Sequence, residues 1–144
     1  MQNLIIGDFM TASPHTVGDG DTIATARDVM RTHHIRHLPV LRQGELVGML
    51  SERDLLFIEG LPHVDPAAVL VEDAMSERPV ALSPTTSLEW AAAEMAQRKL
   101  GSVVVADRGR VVGVFTCVDA LRALQQLVAR ERRRAHRAGA ERTT

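Results

Sequence analysis

Apolar positions along the chain follow two rhythms, one helical and one extended, in the same order twice. Ile23, Ala26 and Met30 recur at a spacing that places them on one face of a helix, and Thr22 just before them is suited to cap it. Leu38-Pro39-Val40-Leu41 is a short apolar run, Gln43-Gly44 marks a tight turn, and Leu46-Val47-Gly48-Met49-Leu50 supplies the return strand of a hairpin. A second helix is predicted after Ser51. The order is met again as a helix over 87–95, a strand over 103–106, a turn at Arg108-Gly109, a strand over 111–115 and a helix from Thr116 through Leu121, Leu124 and Leu127.

The recurrence is an internal repeat without gaps. A shift of 65 residues lays Asp8 on Asp73, Met10 on Met75, Pro14 on Pro79, Ala26 on Ala91 and Met30 on Met95. The same shift lays Gly44 on Gly109, Val47 on Val112, Gly48 on Gly113, Ser51 on Thr116 and Asp54 on Asp119. Each repeat reads as β-α-β-β-α. Both strands of each hairpin are apolar nearly throughout, and such strands are covered on both faces. One repeat of this size cannot cover its own sheet, so the predicted fold is α/β (α+β), with two pseudo-twofold-related repeats packed through their sheets around a shared cleft. The expected segments are repeat 1 over 1–61, a linker over 62–71, repeat 2 over 72–128 and a basic helical tail over 129–144 that frays.

Composition narrows the class. With 144 residues, 45% apolar and 24% charged, the chain suits one compact unit. Aromatic residues are 3%, so the core is aliphatic and methionine-filled, and stacking platforms for single-stranded nucleic acid are excluded. The net charge of -1 is uneven: residues 130–144 carry six Arg against two Glu, leaving the body near -5 and the tail near +4. The tail reads as a solvated helix end; any nucleic-acid contact through it would be non-specific and salt-sensitive. A lone Cys117 forms no intramolecular disulfide and fits a reducing cytoplasm, and no apolar run is long enough to span a bilayer. No GxxxxGK[ST], GxGxxG or GxSxG segment is present, so catalysis is not expected.

The candidate chemistry lies in Ser51-x-x-Asp54 and Thr116-x-x-Asp119, each at a strand-to-helix junction. Free backbone N–H groups and the positive helix end suit a phosphate there, the hydroxyl donates to it, and the carboxylate accepts from ribose hydroxyls. The same pattern is a helix capping box with no ligand. One side chain serves both uses if the pocket empties. His33, His34 and His37 do not share a helical face once the helix ends before Ile35, so they read as a solvated helix end rather than a zinc site. Cys117 reads as a small residue packed in the first turn, and Met10, Met30, Met75 and Met95 as core filler.

The segments Asp8-Phe9-Met10-Thr11-x-x-Pro14, Ala26-x-x-x-Met30, Ile35-Arg36-His37-Leu38-Pro39-Val40, Gly44-x-Leu46-Val47-Gly48 and Ser51-x-x-Asp54 resemble a CBS (cystathionine β-synthase) motif. The second copy, from Asp73-x-Met75 to Thr116-x-x-Asp119, is similar but has Val103-Val104-Val105 in place of Leu-Pro-Val. Together they resemble a tandem CBS pair, or Bateman module, over residues 7 to 121.

The resemblance implies a regulatory module that needs no cofactor and binds an adenosyl effector between its repeats: AMP, ADP, ATP, S-adenosylmethionine or an NAD species. It also implies a homodimer and a regulated protein partner of unknown identity. Carried over residue by residue, site A uses Ser51, Arg53 and Asp54 with Val80, Ala81, Leu82, Leu100, Gly101 and Ser102. Site B uses Thr116 and Asp119 with His15, Thr16, Val17, Ile35, Arg36 and His37. Apolar side chains would sandwich adenine, and Arg36 with His37 makes site B the expected home of a phosphorylated ligand. Leu55, Leu56, Ile58, Leu121, Leu124 and Leu127 are the expected dimer surface. The alternative is a ligand-free scaffold that docks a partner through its helices or its Arg-rich tail.

Overall fold

The structure is a computed structural model that describes residues 3–143; Met1, Gln2 and Thr144, at the ends of the expected first repeat and tail, lie outside the described residues. The first half contains β1 (Thr11–Ala12), β2 (Val17–Gly18), α1 (Ile23–His33), β3 (His37–Arg42), β4 (Glu45–Ser51) and α2 (Glu52–Glu59). The second contains β5 (Ser76–Glu77), β6 (Ala81–Leu82), α3 (Leu88–Arg98), β7 (Ser102–Asp107), β8 (Arg110–Thr116) and α4 (Cys117–Glu141). Short 3-10 turns at Ile6–Asp8 and Val71–Asp73 precede β1 and β5.

Local chemistry accounts for the element ends. The Thr22 hydroxyl accepts from Thr25 N–H and the Ser87 hydroxyl from Trp90 N–H, so α1 and α3 start on side-chain caps. Both helices stop at a left-handed residue, His34 at φ 54° and Lys99 at φ 54°, after which the chain turns into the next strand. At the hairpin tips Gln43 and Gly44 have φ 51° and 83°, and Arg108 and Gly109 have φ 51° and 78°. Two successive positive φ values make the tight turn whose twist matches that of its strands.

Two four-stranded sheets result, ordered β2-β3-β4-β5 and β1-β8-β7-β6. Each therefore borrows an edge strand from the other repeat. The β-α-β-β-α reading leaves out β1 and β5, because a two-residue strand shows no periodicity in sequence. β1 pairs antiparallel with β8, Thr11 opposite Val114, and β5 pairs with β4 in the equivalent register, Ser76 opposite Met49. Glycine makes room for the exchange. A Cβ on Gly113 would lie 2.5 Å from Met10 Sδ and 2.9 Å from the Thr11 carbonyl, and one on Gly48 would overlap Met75 Sδ. Met10 and Met75 are thus core residues, each in the other repeat's core.

The apolar interior is layered. Ile23, Ala26, Met30, Leu38, Val40, Leu50 and Leu55 fill the core between the first sheet and its helices, with Val71 entering from the second repeat. Ala91, Met95, Val103, Val105, Phe115 and Ala123 fill the second, with Ile6 entering from the first repeat. Met49, Val104 and Val114 close a third cluster, backed by Leu46 and Val111, through which the two sheets pack as expected. Arg27 on α1 donates to both carboxylate oxygens of Glu59 on α2, at 3.0 and 2.9 Å, and clasps the two helices.

The helix faces differ from expectation. Leu55 is fully buried and not available to a partner, while Ile58 and Leu127 are half-buried against the first and second cores. The exposed large apolar side chains among the described residues are Leu56 and Phe57 on α2, Leu61 just after it, Trp90 on α3, and Val118, Leu121, Leu124 and Val128 on α4. From residue 129 the basic segment continues α4 as helix to Glu141. Among the described residues, no helix is long and apolar enough to cross a membrane.

Candidate ligand-binding site

Both Ser/Thr-x-x-Asp segments lie at a strand-to-helix junction, β4 into α2 and β8 into α4, and both form complete capping boxes. Asp54 N–H donates to Ser51 Oγ at 3.1 Å, and Ser51 N–H donates to Asp54 Oδ2 at 2.8 Å. Asp119 N–H donates to Thr116 Oγ1 at 3.2 Å, and Thr116 N–H donates to Asp119 Oδ2 at 2.9 Å. The capping reading is thus realised at both sites. Glu52 N–H and Cys117 N–H go to the Arg36 and Gly101 carbonyls, which leaves Arg53 N–H and Val118 N–H as the first-turn donors that can face an anion.

The two carboxylates then diverge. Asp119 is 4% exposed; its Oδ1 accepts from Thr11 Oγ1 at 3.0 Å and lies 3.8 Å from the Arg122 guanidinium, while its Oδ2 also accepts from Thr116 Oγ1 at 3.1 Å. Asp54 is half-buried, and its Oδ1 accepts no hydrogen bond among the described residues. Sequence reasoning missed Thr11 and Arg122 as neighbours of Asp119. The signal was present in the repeat register, which sets Thr11 against Ser76 and Arg122 against Phe57.

The segments expected to line each pocket come together within their own repeat. β2 runs parallel to β3 with Val17 beside Val40, which carries His15 and Thr16 toward Ile35-Arg36-His37. Val17 buries its side chain in the first core and Ile35 packs against it, so neither presents a full apolar face to a ligand. Thr16 and Arg36 are exposed, and the Arg36 carbonyl accepts from Glu52 N–H at 2.8 Å. His33 is exposed at the end of α1, as expected, and there His15 stacks on it with ring centroids 3.6 Å apart. Among the described residues no three His, Cys, Asp or Glu side chains gather as a metal site.

In the second repeat β6 runs parallel to β7 with Ala81 beside Val104, and the Val80 carbonyl accepts from Val104 N–H at 2.9 Å. Val80, Leu82 and Leu100 pack against the second core, while Ala81 and Gly101 are exposed and Ser102 opens β7. The Gly101 carbonyl accepts from Cys117 N–H at 3.1 Å. Cys117 itself is exposed, not packed away, with its thiol 3.5 Å from the Leu100 carbonyl. Arg53 is exposed on the first turn of α2.

His37 joins the two repeats. A Cβ on Gly101 would lie 3.1 Å from His37 Nε2, so the site A backbone and a residue expected in site B are in contact. Burial holds the His37 imidazole below its ordinary value of 6.5; Arg36 pushes it the same way, and Asp54 and Glu52 oppose. The acids that act on His37 are therefore those of its own α2 junction. At neutral pH it offers one donor and one acceptor rather than a positive charge.

The family model described as CBS domain matches residues 6–59 and 71–126. The chain is 33% identical over 119 residues to an inosine-5'-monophosphate dehydrogenase of Korarchaeum cryptofilum, a match that covers 82% of this chain and 23% of that protein. It is 32% identical over 117 residues to the CBS domain-containing protein YhcV of Bacillus subtilis, covering 79% of this chain and 81% of YhcV. Among solved structures, that of Arabidopsis thaliana CBSX2 in complex with AMP is 27% identical with a TM-score of 0.74, covering 85% of this chain and 97% of that one.

Proposed function

The chain belongs to the CBS domain family as a tandem pair, and from that premise we propose that it binds an adenine nucleotide or related adenosyl compound between its repeats and passes on its occupancy as a change of conformation. A CBS pair is a regulatory module rather than an enzyme, and the matched residues are that module. The observation that carries the reading is the repeated Ser/Thr-x-x-Asp junction. In both copies a helix N-terminus, a hydroxyl and a carboxylate converge on one spot, the donor and acceptor set that a ribose phosphate needs. The AMP bound by CBSX2 supports adenosine as the common element and AMP as the first ligand to try.

An effector of this kind acts only through different affinities for two conformations of its site. The interlocked sheets supply the linkage: a shift at either junction is felt by the strand borrowed from the other repeat, β5 on β4 or β1 on β8. Calorimetric titration with AMP, ADP, ATP, S-adenosylmethionine and NADH tests the reading. Saturable heat with at least one of them, and a rise in melting temperature on its addition, are expected. A ligand at about a hundred times its dissociation constant adds roughly 2.7 kcal/mol of stability. No heat and no thermal shift with all five would overturn the reading and leave a scaffold that docks a partner through its helices.

A further inference from the structure

We propose that Thr11 holds the Asp119 pocket shut, so that the chain takes one adenosyl ligand, at Asp54. This rests on the ligand-binding reading above and reverses the order expected from Arg36 and His37 alone. A ribose diol binds a carboxylate by donating to it, and needs acceptor oxygens that are exposed and unspent. Asp119 has neither. Its Oδ1 takes the Thr11 hydroxyl and faces Arg122, its Oδ2 takes both the backbone and the hydroxyl of Thr116, and the residue is 4% exposed.

Thr11 is no passing neighbour. It sits on β1, whose ladder to β8 sets Thr11 against Val114 and Ala12 against Gly113 and continues through Ser13 N–H to the Val112 carbonyl at 3.0 Å. The strand fixes the backbone, and the branched Cβ of threonine restricts the rotamer that aims the hydroxyl. A ligand entering at Asp119 must first detach that side chain. At the equivalent place β5 sets Ser76 against Met49 in the same register, yet Ser76 makes no bond to Asp54. Serine lacks the methyl that restricts its rotamer. Phe57, which stands where Arg122 stands in the second repeat, is 70% exposed and brings no charge to Asp54. With the Thr116 hydroxyl, which donates to Asp119 as Ser51 does not to Asp54, three positions thus separate an open acceptor from a spent one. His37 lies on the open side, within the field of Asp54.

The test is the stoichiometry and affinity of AMP binding by calorimetry on the full chain, for wild type, Asp54→Asn, Asp119→Asn and Thr11→Val. The wild type should bind one AMP per chain. Asp54→Asn should weaken that binding about tenfold or more, the loss expected when a charged acceptor is removed. Asp119→Asn should leave it in place, and Thr11→Val should admit a second AMP. Two AMP per wild-type chain, loss confined to Asp119→Asn, or a folded Thr11→Val that still binds one would overturn the proposal while leaving the binding function intact. Should another of the five compounds titrated above bind in place of AMP, the same stoichiometries are read with it, and binding of none of the five by any variant would overturn both. Should Thr11→Val not fold, Arg122→Phe with Thr11→Ser carries the same expectation of a second site, and the wild-type stoichiometry decides in any case.

Discussion

Asp54 and Asp119 stand in equivalent capping boxes, and His37, one step away from the first of them, shows what burial adds to such a site. Its imidazole is kept below 6.5 chiefly by desolvation. The unfolded chain therefore binds more protons than the folded one as pH falls through about 6.5, so the His37 contribution is complete above that value and is lost below it. His37→Asn should flatten the dependence of stability on pH below about 6.5, read from urea denaturation at each pH. Equal slopes in the two proteins would show that burial of His37 is not what moves it. The capping boxes themselves were legible in sequence, since each links residues three apart. That Asp119 is sealed was not, because the seal comes from a threonine 108 positions away.

At the scale of elements, the long helices and the hairpins follow from local pattern, and the short strands do not. α1, α3 and both hairpins form where apolar period, cap and turn residues agree. β1 and β5 are two residues each and exist because the opposite repeat offers an edge for them. Their docking depends on glycine. A methyl group on Gly113 meets Met10 Sδ and the Thr11 carbonyl, and the carbonyl cannot retreat without breaking the β1–β8 ladder. Gly113→Ala should cost about 1–3 kcal/mol in chemical denaturation. Gly20→Ala, with nothing within 4 Å of the added carbon, should change stability little. A Gly113→Ala protein as stable as the control would mean that β1 is not held where the structure has it.

The whole molecule is two repeats laced together by their first segments, with a sheet-to-sheet seam of Met49, Val104 and Val114 inside and an apolar face outside. Val118, Leu121, Leu124 and Val128 recur along one stretch of α4, exposed by about half or more, and Leu56 and Phe57 are similarly bare on α2. Apolar surface of this kind marks a binding face, and we expect a second copy to cover it. Light scattering after size exclusion should give twice the 15.8 kDa chain mass, and Leu121→Glu with Leu124→Glu should return the monomer. A wild type that stays monomeric at high concentration would refute the dimer.

The sequence by itself determined the repeat, the order of its main elements, the turn residues, the helix caps and the resemblance that led to the family, since all of these depend on residues close together in the chain or on one register of 65. Only the tertiary structure decided which strands are exchanged, which leucines remain at the surface and which aspartate keeps a free oxygen. Those outcomes hang on contacts between residues far apart in the chain, whose partners local periodicity does not identify.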